Sequence, residues 1–219
     1  MFSFGVSILD KYAYFSGCDM RFADECKQRI MEARKAGRGA ILAVSHIGGW
    51  ALSGGKLAEY ECPTGAVGVS NEHEYIRQMA ARRAKRAAVE MIADAGDPMS
   101  MVAALGLLRR NGVLALHADR YAGGKFAAAE LLGAKVRLPG SAYALAAKTG
   151  APVISVFCVR EGVRRYRMFC SPARFVENLR GAPFDAAAAR AAQAYAADVE
   201  GVIKKYPRQW YNFYPFWEQ

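Results

Sequence analysis

The sequence has few of the residues that build metal centres and disulfide frameworks. Only three histidines occur among 219 residues, and no two of the five cysteines form a Cys-x-x-Cys pair. The cysteines are Cys18, Cys26, Cys62, Cys158 and Cys170. An odd number of cysteines without paired spacing argues against a disulfide framework or a zinc site and favours a reducing compartment. We therefore expect no metal site and no metal or redox cofactor.

Long apolar runs are also lacking. No stretch of about 18 or more uncharged apolar residues is present, so we predict no membrane-spanning helix. Residues 1–17 are apolar and aromatic but contain Asp10 and Lys11, and they lack the basic start and cleavage site of a signal peptide. One face of an amphipathic helix accounts for Phe2, Val6, Leu9, Tyr12 and Phe15. Such a helix can lie on a membrane surface or pack as an ordinary core helix, and the sequence leaves both open.

Acidic residues are scarce relative to basic ones. The 20 acidic residues face 30 lysines and arginines, which gives a net charge of +10. This balance favours acidic partners such as nucleic acid, anionic lipid headgroups or an acidic protein. Five of the basic residues cluster on a predicted helix at 72–86, namely Arg77, Arg82, Arg83, Lys85 and Arg86. No helix-turn-helix, zinc-finger or RNP-type signature accompanies them, so we predict no nucleic-acid partner.

Apolar runs alternate with amphipathic segments along most of the chain. With 53% hydrophobic residues the chain can fill one sizeable core. The predicted strands are residues 40–45, 64–69, 88–92, 113–116 and 153–159, with 164–170 as a hairpin partner. The predicted helices are residues 24–36, 50–60, 72–86, 98–110, 141–148 and 184–205. This alternation predicts a single α/β domain at 37–219, with a largely parallel central sheet flanked by helices. Amphipathic helices at 1–36, which could associate with a membrane, precede it.

The first segment with chemical potential runs from Ser45 to Ala51. His46 comes just after a buried strand, where open α/β sheets place their ligand sites. Gly48 and Gly49 would let a substrate approach the backbone closely. A neutral imidazole there can accept a proton from an attacking alcohol or amine. A purely structural histidine in a turn is the alternative.

The second segment, residues 117–125, also follows a predicted buried strand. It should therefore lie on the same edge of the sheet as His46. It contains His117, Asp119 and Arg120, together with glycines that would let it shape an anion or acceptor site. The alternative is a solvated loop in which the charged pair faces water.

A third segment, residues 135–141, lies just before a predicted helix. Lys135, Arg137 and Gly140 stand there next to the first backbone N–H groups of the helix, which can hold a phosphate or an oxyanion. The signal is weak by itself, because many helices begin with a Pro-Gly-Ser run.

In this order, the three segments resemble the lysophospholipid acyltransferase superfamily, and within it the late acyltransferases of lipid A. The resemblance covers about residues 39–217 and includes the Pro-Arg-Gln-Trp run at 207–210. It implies a hydrophobic acyl groove. It also implies transfer of an acyl group from an acyl-carrier-protein or coenzyme A thioester to a hydroxyl or amine of a lipid or glycolipid. No cofactor is implied, and the protein would sit peripherally on the anionic cytoplasmic face of a bacterial inner membrane.

The resemblance also assigns roles to residues, with one departure from the family pattern. His46 would be the base, and the motif places Asp or Glu five residues later, where this chain has Ala51. Three explanations remain open. Ala51 is an engineered change, or another acid serves, with Asp119 first and Glu72 or Glu74 behind it. In the third, the chain has lost the reaction and is a non-catalytic module that binds a lipid or a carrier protein.

The remaining expected site residues would contact substrate. By resemblance these are Gly48, Gly49, Trp50, His117, Arg120, Lys135, Arg137 and Gly140. Trp210, Phe213 and Trp217 would line the acyl groove or meet the membrane, and plain core packing is an equal alternative for these aromatics.

Overall fold

The computed structural model describes residues 2–67, 89–93, 98–121 and 123–217. Its strands, in chain order, are β1 (Arg21–Asp24), β2 (Ala40–Gly48), β3 (Thr64–Val67), β4 (Val89–Ile92), β5 (Val113–His117), β6 (Phe126–Leu131), β7 (Ala134–Pro139), β8 (Val153–Gly162) and β9 (Arg165–Cys170). Seven of them form one sheet in the order β1-β9-β8-β2-β5-β3-β4, and β6 and β7 form a separate hairpin. Neighbours in the large sheet are parallel except β8 and β9. The predicted mixed α/β fold with a mostly parallel sheet is confirmed.

The helices pack on both faces of this sheet. They are α1 (Phe2–Phe15), α2 (Lys27–Ala33), α3 (Trp50–Lys56), α4 (Pro98–Arg109), α5 (Ser141–Thr149) and α6 (Ala182–Lys205). Short 3-10 turns follow at Arg34–Ala36, Leu57–Glu59 and Pro207–Gln209. Within the described ranges, no helix has the length and apolar character needed to cross a membrane.

Strand β2 lies in the middle of the sheet and is buried at all nine positions. Its side chains alternate between two cores, as a pleated strand requires. Ile41 and Ala43 join residues of α4, α5 and α6 in one core. Ala40 and Leu42 face the other core, with residues of α1, α2 and α3. Because both faces are covered, the strand reads as the continuous apolar run from which it was predicted.

Three strands, β1, β6 and β7, were not predicted from sequence. The predicted helix at 24–36 is wrong at its start, since Asp24 ends β1 and accepts the backbone N–H of Cys26 at 2.8 Å. Strand β1 is a short, half-exposed edge strand with little apolar signal. Strand β7 occupies residues to which the sequence analysis assigned no strand, and its partner β6 is rich in helix-favouring alanine. The predicted basic helix at 72–86, with Glu72 and Glu74, lies outside the described residues.

Helix α1 packs beside the end of β2. The Ser7 hydroxyl donates to the carbonyl oxygen of Gly48 at 2.9 Å, and the Tyr166 hydroxyl donates to the Asp10 carboxylate at 2.6 Å. Leu9 is 68% exposed and lies on the other side of the helix. The helix therefore has both a packed face and an exposed apolar side.

Candidate active site

His46 and Asp119 meet because β2 and β5 run side by side. The parallel register places Val44 opposite His117, and the same offset carried two residues further places His46 opposite Asp119. The His46 Nδ1 atom lies 2.8 Å from Asp119 Oδ1, and the His46 backbone N–H donates to Asp119 Oδ2 at 2.6 Å. One carboxylate thus holds both the ring and the main chain of the histidine.

Asp119 is 3% exposed, and its neighbours determine the pKa of its carboxyl group. Burial alone raises the pKa of the Asp119 carboxyl. The charge and hydrogen bonds of His46 outweigh that effect and bring the pKa below its ordinary value. The carboxylate is then ionised at neutral pH and can only accept hydrogen bonds. The His46 Nδ1 atom must therefore carry a proton, and in the neutral form of the ring this leaves the Nε2 lone pair free to act as a base.

His117 lies against the candidate base. Its ring stacks on that of His46 with centroids 4.3 Å apart and an interplanar angle of 22°. Among the described residues, no hydrogen-bond partner reaches its buried Nδ1 atom. Burial and, to a smaller extent, the neighbouring His46 lower the pKa of His117 to about 4, although Asp119 acts in the opposite direction. His117 is therefore a neutral side chain at neutral pH.

These three side chains could also hold a metal ion. His46, His117 and Asp119 each offer one ligand atom, all within 4.8 Å of one another. Two histidines and one carboxylate form a known metal-binding set. Each Asp119 oxygen already accepts one hydrogen bond from His46, so an ion ligated by this carboxylate would use a remaining lone pair. The expectation of no metal site stays a prediction.

The two glycines after His46 have a packing role. Gly48 has a φ of +60°, and a Cβ atom there would collide with the carbonyl oxygen of Cys158 in β8. A Cβ atom on Gly49 would meet the ring of Tyr166. Close packing against other parts of the same chain therefore explains both glycines. Their contact with substrate stays a prediction.

The next two residues of this segment begin helix α3. The ring centroid of Trp50 lies 5.4 Å from that of His46 and 5.5 Å from that of Tyr211. Ala51 is partly exposed in the first turn of the helix. Its methyl group can neither accept a hydrogen bond nor carry charge, so the orienting contact to His46 comes from Asp119, two residues after the neighbouring strand β5.

The charged residues of the third predicted segment do not point toward His46. Lys135 and Arg137 occupy exposed positions of β7, and Arg137 lies over the ring of Phe126 at 4.8 Å. The backbone N–H of Gly140 donates to the carbonyl oxygen of Lys125 at 3.0 Å, so this group is already paired. Phosphate binding by these residues stays a prediction.

The inner face of the hairpin does reach the site. Leu131 and Leu138 lie around a narrow, closely packed gap together with Asp119, Tyr195 and Trp210. A larger cleft of about 530 Å³ lies between β9 and the end of α6, with charged lining residues that include Glu25, Arg167 and Lys205. The hydrophobic acyl groove stays a prediction.

Sequence reasoning missed one participant, Tyr211. Its backbone N–H donates to the carbonyl oxygen of His46 at 3.0 Å, and its carbonyl oxygen accepts from Arg120 at 2.8 Å. The available signal was its position directly after the Pro-Arg-Gln-Trp run. Trp210 packs against the core, whereas Phe213 and Trp217 are exposed to 61% and 42%.

Comparison with known proteins adds a family to this geometry. No curated protein matches the chain. The family model described as bacterial lipid A biosynthesis acyltransferase matches residues 16–219, which covers the whole sheet and the His46–Asp119 pair. The chain therefore belongs to the bacterial lipid A biosynthesis acyltransferase family, an enzyme class that transfers acyl groups.

Proposed function

We propose that this protein transfers an acyl group from an acyl-carrier-protein or coenzyme A thioester to a hydroxyl or amine of a lipid or glycolipid. His46 is the base, and Asp119 is the carboxylate that orients it. The observation that carries the proposal is the double contact of Asp119 with the ring and the backbone of His46.

The chemistry follows from the position of the protons. The Asp119 carboxylate keeps the His46 proton on Nδ1, so Nε2 accepts the proton of the attacking hydroxyl or amine. The acceptor atom then bonds to the thioester carbon, and the carbon–sulfur bond breaks as the tetrahedral intermediate collapses. The imidazolium, stabilised by Asp119, returns its proton to the leaving thiolate. His117 remains neutral and adds no competing positive charge beside this cation.

This arrangement supports one of the three explanations for Ala51. An acid just after the neighbouring strand β5 supplies the hydrogen bond that the family motif takes from five residues later. The function needs no carboxylate at position 51. The reading of the chain as a non-catalytic lipid or carrier-protein module on the same fold then becomes an outcome of the activity test.

The place of action in this proposal is the anionic cytoplasmic face of a bacterial inner membrane, bound peripherally. The net charge of +10 would attract anionic headgroups and an acidic carrier protein. Exposed apolar side chains on α1 and near the C-terminus, among them Leu9, Tyr12 and Phe213, can enter the headgroup region.

The test is acyl transfer from labelled acyl carrier protein to a bacterial lipid extract. We expect Asp119→Asn to lower kcat at least about 10²-fold, because the amide no longer fixes the histidine tautomer or stabilises its cation. His46→Ala should lose at least as much. Ala51→Glu should stay within about threefold of the unchanged chain, since the orienting position is already filled.

The matched control is Glu25→Gln, which removes an exposed carboxylate that pairs with Arg167 at the far edge of the sheet. This variant should retain full activity. Equal turnover by Asp119→Asn and the unchanged chain would reject the proposed role of Asp119. A large gain with Ala51→Glu would show instead that the site lacks its acid. Binding of the carrier protein without turnover in every variant would favour the non-catalytic module.

A further inference from the structure

After α6, the chain returns to the end of β2. We define residues 206–217 as the carboxyl-terminal strap. The side-chain amide of Gln209 accepts from the backbone N–H of Arg160 at 2.8 Å and donates to its carbonyl oxygen at 2.9 Å. The next residue, Trp210, forms an antiparallel bridge with Ile47. The strap is therefore fixed to β8 and to β2 at adjacent positions.

The strap then contacts the candidate base directly. The backbone N–H of Tyr211 donates to the carbonyl oxygen of His46 at 3.0 Å. On its other side, the His46 backbone N–H donates to Asp119. Both backbone polar groups of His46 are thus held, one by the strap and one by the strand-end segment that follows β5.

Arg120 joins these two holding segments. Its Nη2 atom donates to the carbonyl oxygen of Tyr211 at 2.8 Å, and its guanidinium lies 5.6 Å from the centroid of the Tyr214 ring. Because Arg120 follows Asp119 in the chain, a closed ring of contacts runs from Asp119 to His46, to Tyr211, to Arg120 and back through one peptide bond. A movement of the strap relative to Asp119 would therefore strain the contacts that hold His46.

We propose that Arg120 is a positioning residue that holds His46 against Asp119 through the carboxyl-terminal strap. This inference rests on the proposed acyl transfer and gives Arg120 a role other than the substrate contact expected from sequence. A guanidinium keeps its charge throughout the working pH range and donates in a fixed geometry, which suits a permanent tie. Precision matters here, since a misplacement of about 1 Å in a catalytic group can cost about 10²-fold in rate.

Two substitutions at this position separate positioning from substrate contact. Arg120→Met keeps a long stem but removes the donor, and Arg120→Lys restores a charged donor. Arg167→Met is the matched control, because Arg167 is an arginine of β9, two strands away from β2, and pairs with Glu25. Arg120→Gln replaces the methionine variant if circular dichroism shows that the latter is unfolded.

Each variant is measured in two ways as the full chain. Steady-state kinetics use the acyl-carrier-protein thioester. Proton NMR without substrate follows the downfield imidazole N–H that His46 donates to Asp119, assigned by its loss in Asp119→Asn. We expect Arg120→Met to lower kcat about 10-fold or more with KM within about twofold, and to broaden or remove the N–H signal. Arg120→Lys should recover the signal and most of kcat, and Arg167→Met should change neither.

Two results would overturn the inference. A raised KM with unchanged kcat and N–H signal would show that Arg120 contacts substrate. A lowered Tm with unchanged kcat and signal would show a role in stability alone. If the unchanged chain has no turnover, the proposed acyl transfer fails. The NMR signal alone then decides whether Arg120 positions His46. A signal that persists in Arg120→Met rejects positioning, and a signal that disappears supports it.

Discussion

The end of β2 and the outer face of the β6–β7 hairpin both carry polar side chains, but they hold them differently. At the end of β2, the ring, the N–H and the carbonyl oxygen of His46 all have partners, which come from two other segments. On the hairpin, Lys135 and Arg137 point outward from a strand whose alternate residues are buried. The difference shows that side chains meet where parallel strands end side by side and the carboxyl-terminal strap returns to them. In an antiparallel hairpin packed on one face, the charged side chains of the other face point into water.

The largest effect on stability should come from replacing a crowded glycine, in comparison with a glycine of similar backbone conformation that has open space around it. Gly48 and Gly133 have φ values of +60° and +81°, but only Gly48 lacks space for a Cβ atom. We expect Gly133→Ala to lower the free energy of unfolding by about 1 kcal/mol and Gly48→Ala by about 3 kcal/mol or more. Urea denaturation of both variants measures the difference. Equal losses would mean that the end of β2 is not crowded.

A smaller effect should depend on pH and arise from His117. Its folded-state pKa, about 4, lies below the ordinary 6.5. Between these values the unfolded chain therefore binds more protons, and the free energy of unfolding rises with pH. His117→Gln should remove up to about 3 kcal/mol of this pH dependence. Thermal unfolding of both proteins from pH 4 to pH 7 measures it. Parallel curves would contradict the lowered pKa of His117.

The smallest effect should come from the hairpin charges. Replacing Lys135 and Arg137 together with glutamine should change kcat and KM by less than about twofold, in contrast to the phosphate contact expected from sequence, because both side chains lie at exposed positions of β7. The assay described above for acyl transfer provides the measurement. A KM several-fold higher would show that the hairpin binds an anionic part of the substrate, and the contrast between the two regions would fail.

Much of the sheet could be predicted, since its central strands are continuous apolar runs. Strands β2 and β5 were predicted to within a few residues, and so was the position of His46 and Asp119 at one edge of the sheet. Strand β1 could not be predicted, because an edge strand of four half-exposed residues has no periodic signal. The hairpin was missed because three of the six residues of β6 are alanines, which favour helices over strands.

The sequence by itself determined the α/β class, the two strand ends that carry polar residues, and the lack of an acid at Ala51. Local periodicity and strand-end chemistry are properties of neighbouring residues, so the chain reveals them directly. Only the tertiary structure decided that Asp119 bonds to His46 and that Tyr211 and Arg120 close the ring around them. Those contacts join residues 73 and more positions apart, and strand register and the return of the C-terminus after α6 fix them.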